Sequence, residues 1–373
     1  TATSTKKTSI ISVSDLQKGK VSITDSKIQG NLSIYGSDVT VIGTTAEGIL
    51  GNYITGKNAV QVKDNTFTSL DFTTYVDTTL ENIKAAKASN TNKGALTLSG
   101  TGTVTIKDGV YDGGTSTGLS VEGTPAMIES GYFKGEAGAV TGPYETPEGM
   151  IIKEVTDGEY AGYSTVAEGK EEEDPSAVYV AQIYNEDGSV ARKIKEDNAA
   201  LLLAYAKNGQ TVKLDADVTL GEDEGMNTYK NVTLDLNGHT LNAAQITGMG
   251  GVCRIVDSSA DKSGKMVSNY GFAGQTAEAT MIFDAIQLGT PCIAAMSIGK
   301  VYIINGTKVS GAGHLTAVMG AGPSYIYEST WSDFPETNLM GQKIEDPKAL
   351  LEGAVRTAQY DITANEDGSY TVS

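Results

Sequence analysis

Residues 231–241 read NVTLDLNGHTL. Val232, Leu234 and Leu236 alternate with Thr233, Asp235 and Asn237, the period-2 pattern of a strand that buries one face. Asn237-Gly238 breaks the alternation, because both residue types tolerate the positive φ of a sharp bend. Strand, bend, strand is one corner of a coil, and it predicts further coils on either side.

Those coils appear as a repeat. TVTIKDGVYDGG (103–114) and PAMIESGYFKGEAG (125–138) share one frame of alternating aliphatics, turn residues, an aromatic and glycine. Val104 to Ala126 and Ile106 to Ile128 are both 22 residues apart, and Val60 to Val104 and Val62 to Ile106 are both 44. KVYIINGTKVSGAG (300–313) and SYIYESTWSDF (324–334) fit the same frame, with Tyr302 to Ile326 and Ile303 to Tyr327 each 24 apart. Self-similarity at such a step is the mark of a solenoid. A lone coil buries too few side chains, at ~1.5–3 kcal/mol each, to offset ordering entropy of ~1–2 kcal/mol per residue. Stacked coils complete one another's burial. The expected fold is therefore all-β, a right-handed parallel β-helix (β-solenoid) with short capping helices and terminal hairpins.

Outward from this frame, TSIISVSDL (8–16), KVSITDSKIQG (20–30), NLSIYGSDVTVIG (31–43) and NAVQVKDNTFTSL (58–70) alternate as strands. The first is read either as a strand of the same molecule or as an N-terminal arm that pairs with another subunit by strand addition. VDTTLENIKAAKAS (76–89) reads as a short helix, with Asp77 as cap and Leu80 and Ile83 on one face. Residues 141–177, with Pro143, Pro147, Pro175 and the acidic run KEEEDP (170–175), read as irregular chain and a boundary. Beyond it, 177–194 reads as a hairpin around Asp187-Gly188, 197–209 as a helix capped by Asp197 and stopped by Gly209, and 211–220 as a strand. The chain ends with a helix and a hairpin around Asp367-Gly368. Two modules follow: residues 1–172, an N-terminal solenoid with the strand arm, and residues 178–373, a C-terminal solenoid.

Composition limits the function. There are 28 Lys+Arg against 46 Asp+Glu in 373 residues, a net charge of −18. That argues against nucleic acid, whose phosphates call for a basic surface, and against binding anionic membrane by charge alone. No run approaches the ~18 apolar residues of a membrane span. The 44 Gly against 8 Pro suit many short strands joined by tight turns. The start, Thr1-Ala2-Thr3, reads as a product trimmed after signal removal. No anchor motif is visible, so either the anchor has been removed or the protein is held at the surface by assembly. Cys253 and Cys292 are the only cysteines, and their separation of 39 residues favours two buried thiols over a bridge.

No catalytic, cofactor-binding or metal residues are assigned. Asp215 and Asp217 lie two apart and could share a cation, with Asp235 on a nearby rung and Lys213, Arg254 and His239 as the available bases. The plainer reading is that all are surface or turn residues. His239 and His314 lack the spacing of a zinc site. GEDEG (221–225) and the two NEDGS copies (185–189 and 365–369) lack the spacing of a Ca²⁺ loop and read as turns. Tyr111, Tyr132, Phe133, Tyr302, Tyr325, Tyr327 and Trp331 recur in the coil frame, either as a core stack or as outward rings for sugars or protein.

The order YVAQI, hairpin, helix, KNGQTVKLDADVTL, NVTLDLNGHTL, coils, WSDFPETN, DPKALLEG, YDITANEDGSYTVS resembles right-handed parallel β-helix modules of surface proteins from anaerobic Gram-positive bacteria. These are pectate-lyase-like solenoids without the lyase residues. The likeness covers 178–373 as one module and 131–170 as the divergent close of a preceding one. It implies a non-catalytic extracellular or cell-surface protein, a structural or adhesive solenoid able to self-assemble into a filament or layer. Its expected partners are further copies of itself and host or cell-wall glycans, with no cofactor. A polysaccharide lyase or a glycan-binding module is the alternative.

Overall fold

The computed structural model describes residues 2–3, 9–14, 20–29, 31–36, 38–46, 53–54, 60–74, 76–86, 94–100, 102–169, 176–228, 230–293, 299–315, 324–338, 340–354 and 361–373. Among the described residues the fold is a parallel β-helix, a β-solenoid of about 12 turns, with 53% strand and two short α-helices. It divides into two compact units, Thr1–Glu173 and Asp174–Ser373.

In the first unit Lys20–Thr24, Asp38–Ile42, Val60–Lys63, Thr78–Ala86 and Val104–Asp112 pair in parallel, one per coil. A second face stacks Leu70–Thr73, Gly94–Ser99, Thr117–Val121 and Val140–Thr141. The inward column Val41, Val62, Leu80, Ile106, Ile128 is in register and wholly buried. A parallel column, Phe67, Ala85, Tyr111, Phe133, is also buried, and the Tyr111 and Phe133 rings stack at 5.1 Å on neighbouring coils. Strand Ser9–Ser14 pairs in parallel with Asn31–Gly36 of the same chain.

The second unit opens with the hairpin Tyr179–Tyr184/Val190–Lys195, whose first strand lies antiparallel on Thr211–Leu214. Parallel rungs follow: Val232–Asp235, Val252–Val256, Thr280–Asp284, Lys300–Ile304 and Ser324–Ile326. Val212, Leu234, Ile255, Phe283, Ile303 and Ile326 form one inward column at 0% exposure. The hairpin Ile362–Ala364/Tyr370–Val372 closes the other end antiparallel on Ser329–Ser332. NVTLDLNGHTL is strand, bend, strand: Val232–Asp235, Asn237 and Gly238 at φ 50° and 84°, then Thr240–Gly248. Cys253 and Cys292 are buried and free, and burial pushes both thiols up to about 12.

Four sequence expectations are corrected. The helix expected over 76–89 is strand Thr78–Ala86, paired on both sides; residues 87–89 lie outside the described set. Asn82 sits at φ 50° and turns the corner, so the buried positions skip from Leu80 to Ile83 and imitate a helical face. Asp77 caps no helix, since its carboxylate accepts the Thr103 N–H of the next coil at 3.0 Å. The helix expected over 197–209 is a 3-10 helix, Glu196–Leu201, followed by a single α turn, Leu202–Tyr205, with no side-chain cap. Residues 141–177 are not all irregular: Met150–Glu154 and Ser164–Glu168 form an antiparallel hairpin laid on Tyr132–Lys134, while KEEEDP lies outside the described residues. Lastly, Tyr302 pairs with Tyr325 and Ile303 with Ile326, not one residue further on. A one-residue slip would turn the buried Ile326 outward. The 44-residue step holds, because Thr78 lies between Val60 and Val104 and Leu80 between Val62 and Ile106.

Candidate functional site

The buried acids of the second unit are held by corners, and of the three only Asp235 stands out in the sequence. The Asp235 carboxylate is buried and accepts the N–H groups of Asn237 (3.0 Å) and Ser258 (2.8 Å), with Lys213 Nζ 3.9 Å away. Asp257 is 2% exposed and accepts from Gly238 N, Ser259 N, Ser259 Oγ and Gly264 N at 2.6–3.0 Å. Desolvation works against its charge, but those hydrogen bonds prevail and its pKa is lowered. Asp284, also buried, accepts from Arg254 and from Asn305 Nδ2 (2.8 Å). These three carboxylates therefore staple successive coils, since each bonds groups on a neighbouring rung.

Asp215 and Asp217 do not converge on a ligand. Asp215 accepts Gln182 Nε2 at 2.8 Å, whereas Asp217 accepts Thr240 N at 2.8 Å and lies 3.4 Å from His239 Nδ1. Among the described residues no group of three or more His, Cys, Asp and Glu is close enough to hold a metal ion. His314 is tied into the fold through its backbone, bridged to Cys292, and burial pushes its pKa down. The NEDGS copies are matching turns: Asp187 accepts Ser189 N and Oγ, Asp367 accepts Ser369 N and Oγ, and these bonds lower both carboxyl pKa values. In GEDEG, Glu224 accepts Gly221 N at 3.1 Å.

The recurring aromatics divide between two roles. Tyr111, Phe133 and Trp331 are core residues at 0% exposure, and the Trp331 indole donates to Ser329 Oγ. Tyr132, Tyr302, Tyr325 and Tyr327 are half-buried on outward positions. Tyr302 and Tyr325 stack at 4.6 Å, so each spends a ring face on the other.

The feature no motif announced is a cleft of about 520 Å³ in the first unit. It lies where the coil around Asp112 and Lys134 meets the closing hairpin at Glu154 and Ser164. Tyr163 braces one wall: its hydroxyl donates to Asp112 Oδ2 at 3.0 Å, and Lys134 Nζ sits 5.2 Å from its ring centroid. Tyr160 packs edge-on to Tyr163 and stacks on Tyr132 at 3.9 Å. Gly135 allows the coils to close here, since a Cβ would fall 2.1 Å from the Ser116 carbonyl oxygen. A second cleft, of about 130 Å³, lies in the second unit beside Asp217 and Glu224.

Compared with family models, curated proteins and solved structures, the chain matches none of them. No described helix is long and apolar enough to cross a membrane.

Proposed function

We propose that the chain is a non-catalytic scaffold of the bacterial cell surface, extracellular, whose solenoid units serve as structural or adhesive elements. The observation that carries this reading is the use of the buried acids. Asp235, Asp257 and Asp284 each accept two or more hydrogen bonds, from backbone amides or from Arg254 and Asn305, and these bonds join coils. The quoted likeness of residues 178–373 to pectate-lyase-like modules of Gram-positive surface proteins points the same way. The charge of −18 suits a soluble exterior.

Self-assembly is part of the proposal. A parallel rung can take up a further strand through its backbone groups, which favours addition of a strand from another copy. Electron microscopy of the native protein tests this against a chain lacking residues 1–16. Filaments or a lattice that vanish on the deletion are expected. Monomeric native protein, or an assembly unchanged by the deletion, would contradict the assembly mechanism.

A further inference from the structure

We propose that the cleft between the last coil and the closing hairpin of the first unit binds a neutral oligosaccharide. This goes beyond the scaffold reading and does not depend on polymerisation.

The size is appropriate. At about 520 Å³ the cleft falls within the range of small-ligand sites, about 300–1,000 Å³, and the second-unit cleft of about 130 Å³ does not. The lining is mixed in the way sugar hydroxyls require. Asp112, Glu136 and Glu154 supply acceptors, whereas Lys134 and Ser164 supply donors. A hydroxyl both donates and accepts, so one polyol satisfies both sets. Ala139, partly exposed, adds a small apolar surface for the C–H face of a pyranose ring.

Charge selects the class. Three carboxylates line the cleft against one ammonium, in a protein of net charge −18, so an anionic sugar is repelled. A metal ion is the other ligand acids suggest, but these carboxylates do not converge as a metal-holding group. The wall is also pre-set. Asp112 is fixed by Gly114 N at one oxygen and the Tyr163 hydroxyl at the other, while Lys134 lies over the Tyr163 ring. A pre-set wall loses less ordering entropy on binding.

The test is calorimetric titration of the full chain with cellohexaose, mannohexaose, maltohexaose, xylohexaose and chitohexaose, and with hexagalacturonate as the anionic control. Binding of at least one neutral hexasaccharide, with none for hexagalacturonate, is expected. Tyr163→Ala unfixes Asp112 and Lys134, and Glu154→Gln removes one charged acceptor on an exposed strand. Each should weaken binding about tenfold or more, the scale of a lost hydrogen bond to a charged group. Glu154→Gln, which disturbs no contact of the fold, decides the matter if Tyr163→Ala unfolds. Tyr325→Ala, in the second unit, should leave affinity unchanged. No neutral sugar bound, equal binding of hexagalacturonate, undiminished affinity in Glu154→Gln, or loss of binding in Tyr325→Ala would each overturn the proposal.

Discussion

The two units turn their corners by different chemistry. In the first, one left-handed residue per rung makes the bend: Asp25, Gly43, Asp64, Asn82 and Asp108, at φ 47–62° and in register from coil to coil. Its buried polar residues are all uncharged among those described, with Asn65 the model: its side chain accepts Thr44 N and donates to the Val41 carbonyl, both at 2.8 Å. The second unit also turns on left-handed residues, Asn237, Ala285, Asn305 and Glu328, but in addition buries three aspartates at its corners. Both solutions satisfy the backbone groups a bend leaves unpaired. Both units join coils through carboxylates, Asp77 and Asp108 in the first, but among the described residues only the second buries them, where losing the charge costs most.

The largest break in this contrast is Asp257→Ala. It leaves the amides of Gly238, Ser259 and Gly264 without their acceptor. The expected loss is about 3–5 kcal/mol, confined to the second unit. Hydrogen exchange read by mass spectrometry should show protection falling at 232–256 and holding at 60–106. Equal loss in both stretches would remove the distinction.

Acid titration applies the same break reversibly. The Asp257 carboxyl is held below the ordinary value of 3.8, so its contribution is full above that pH and is lost as pH falls through the folded value. Asp71, in the first unit, goes the other way: desolvation, then the charge of Glu122, raises its pKa. Ionising Asp71 therefore costs the folded state, and that cost disappears as pH falls toward 3.8. On acidification from neutral the first unit should gain protection before the second begins to lose it, below about pH 3.8. Simultaneous loss in both units would contradict the assignment.

Smaller effects sharpen the comparison at single rungs. Asn65→Ala strands the Thr44 amide and should cost the first unit about 1–3 kcal/mol in denaturant unfolding. Asn82→Ala forces an alanine to φ 50° and loses the bond to Asp64, for about 1–2 kcal/mol. The second unit already carries that strain at Ala285, φ 57°. Ala285→Gly should therefore be neutral or stabilising by up to ~1 kcal/mol, whereas Asn82→Gly should lose only the side-chain bond.

The sequence made the coils legible wherever corners kept the alternation intact. Val104, Ile106 and their partners 22 residues on stack as their spacing predicts, and Asp187-Gly188 and Asp367-Gly368 turn their hairpins at φ 82° and 83° for the glycine. It misled where a corner fell inside a strand. Asn82 shifted the phase of burial and produced a false helical face, because a left-handed residue and a helical turn both bring i and i+3 to one side. Register near Tyr302 was misread for a related reason: tyrosine and isoleucine both fit an inward position, and only pairing separates them. The cleft was illegible because it joins a coil to a hairpin about 50 residues later, as the Asp112–Tyr163 bond across 51 residues illustrates. Asp257 was missed because its partners, Gly238 and Gly264, lie on separate turns.

The scaffold reading stands or falls on turnover. Incubating the full chain with a panel of uronate and neutral glycans, and assaying for new reducing or unsaturated ends, is expected to give no product. Product release that disappears in Asp215→Ala or Asp217→Ala would show those carboxylates to be catalytic and contradict the scaffold reading.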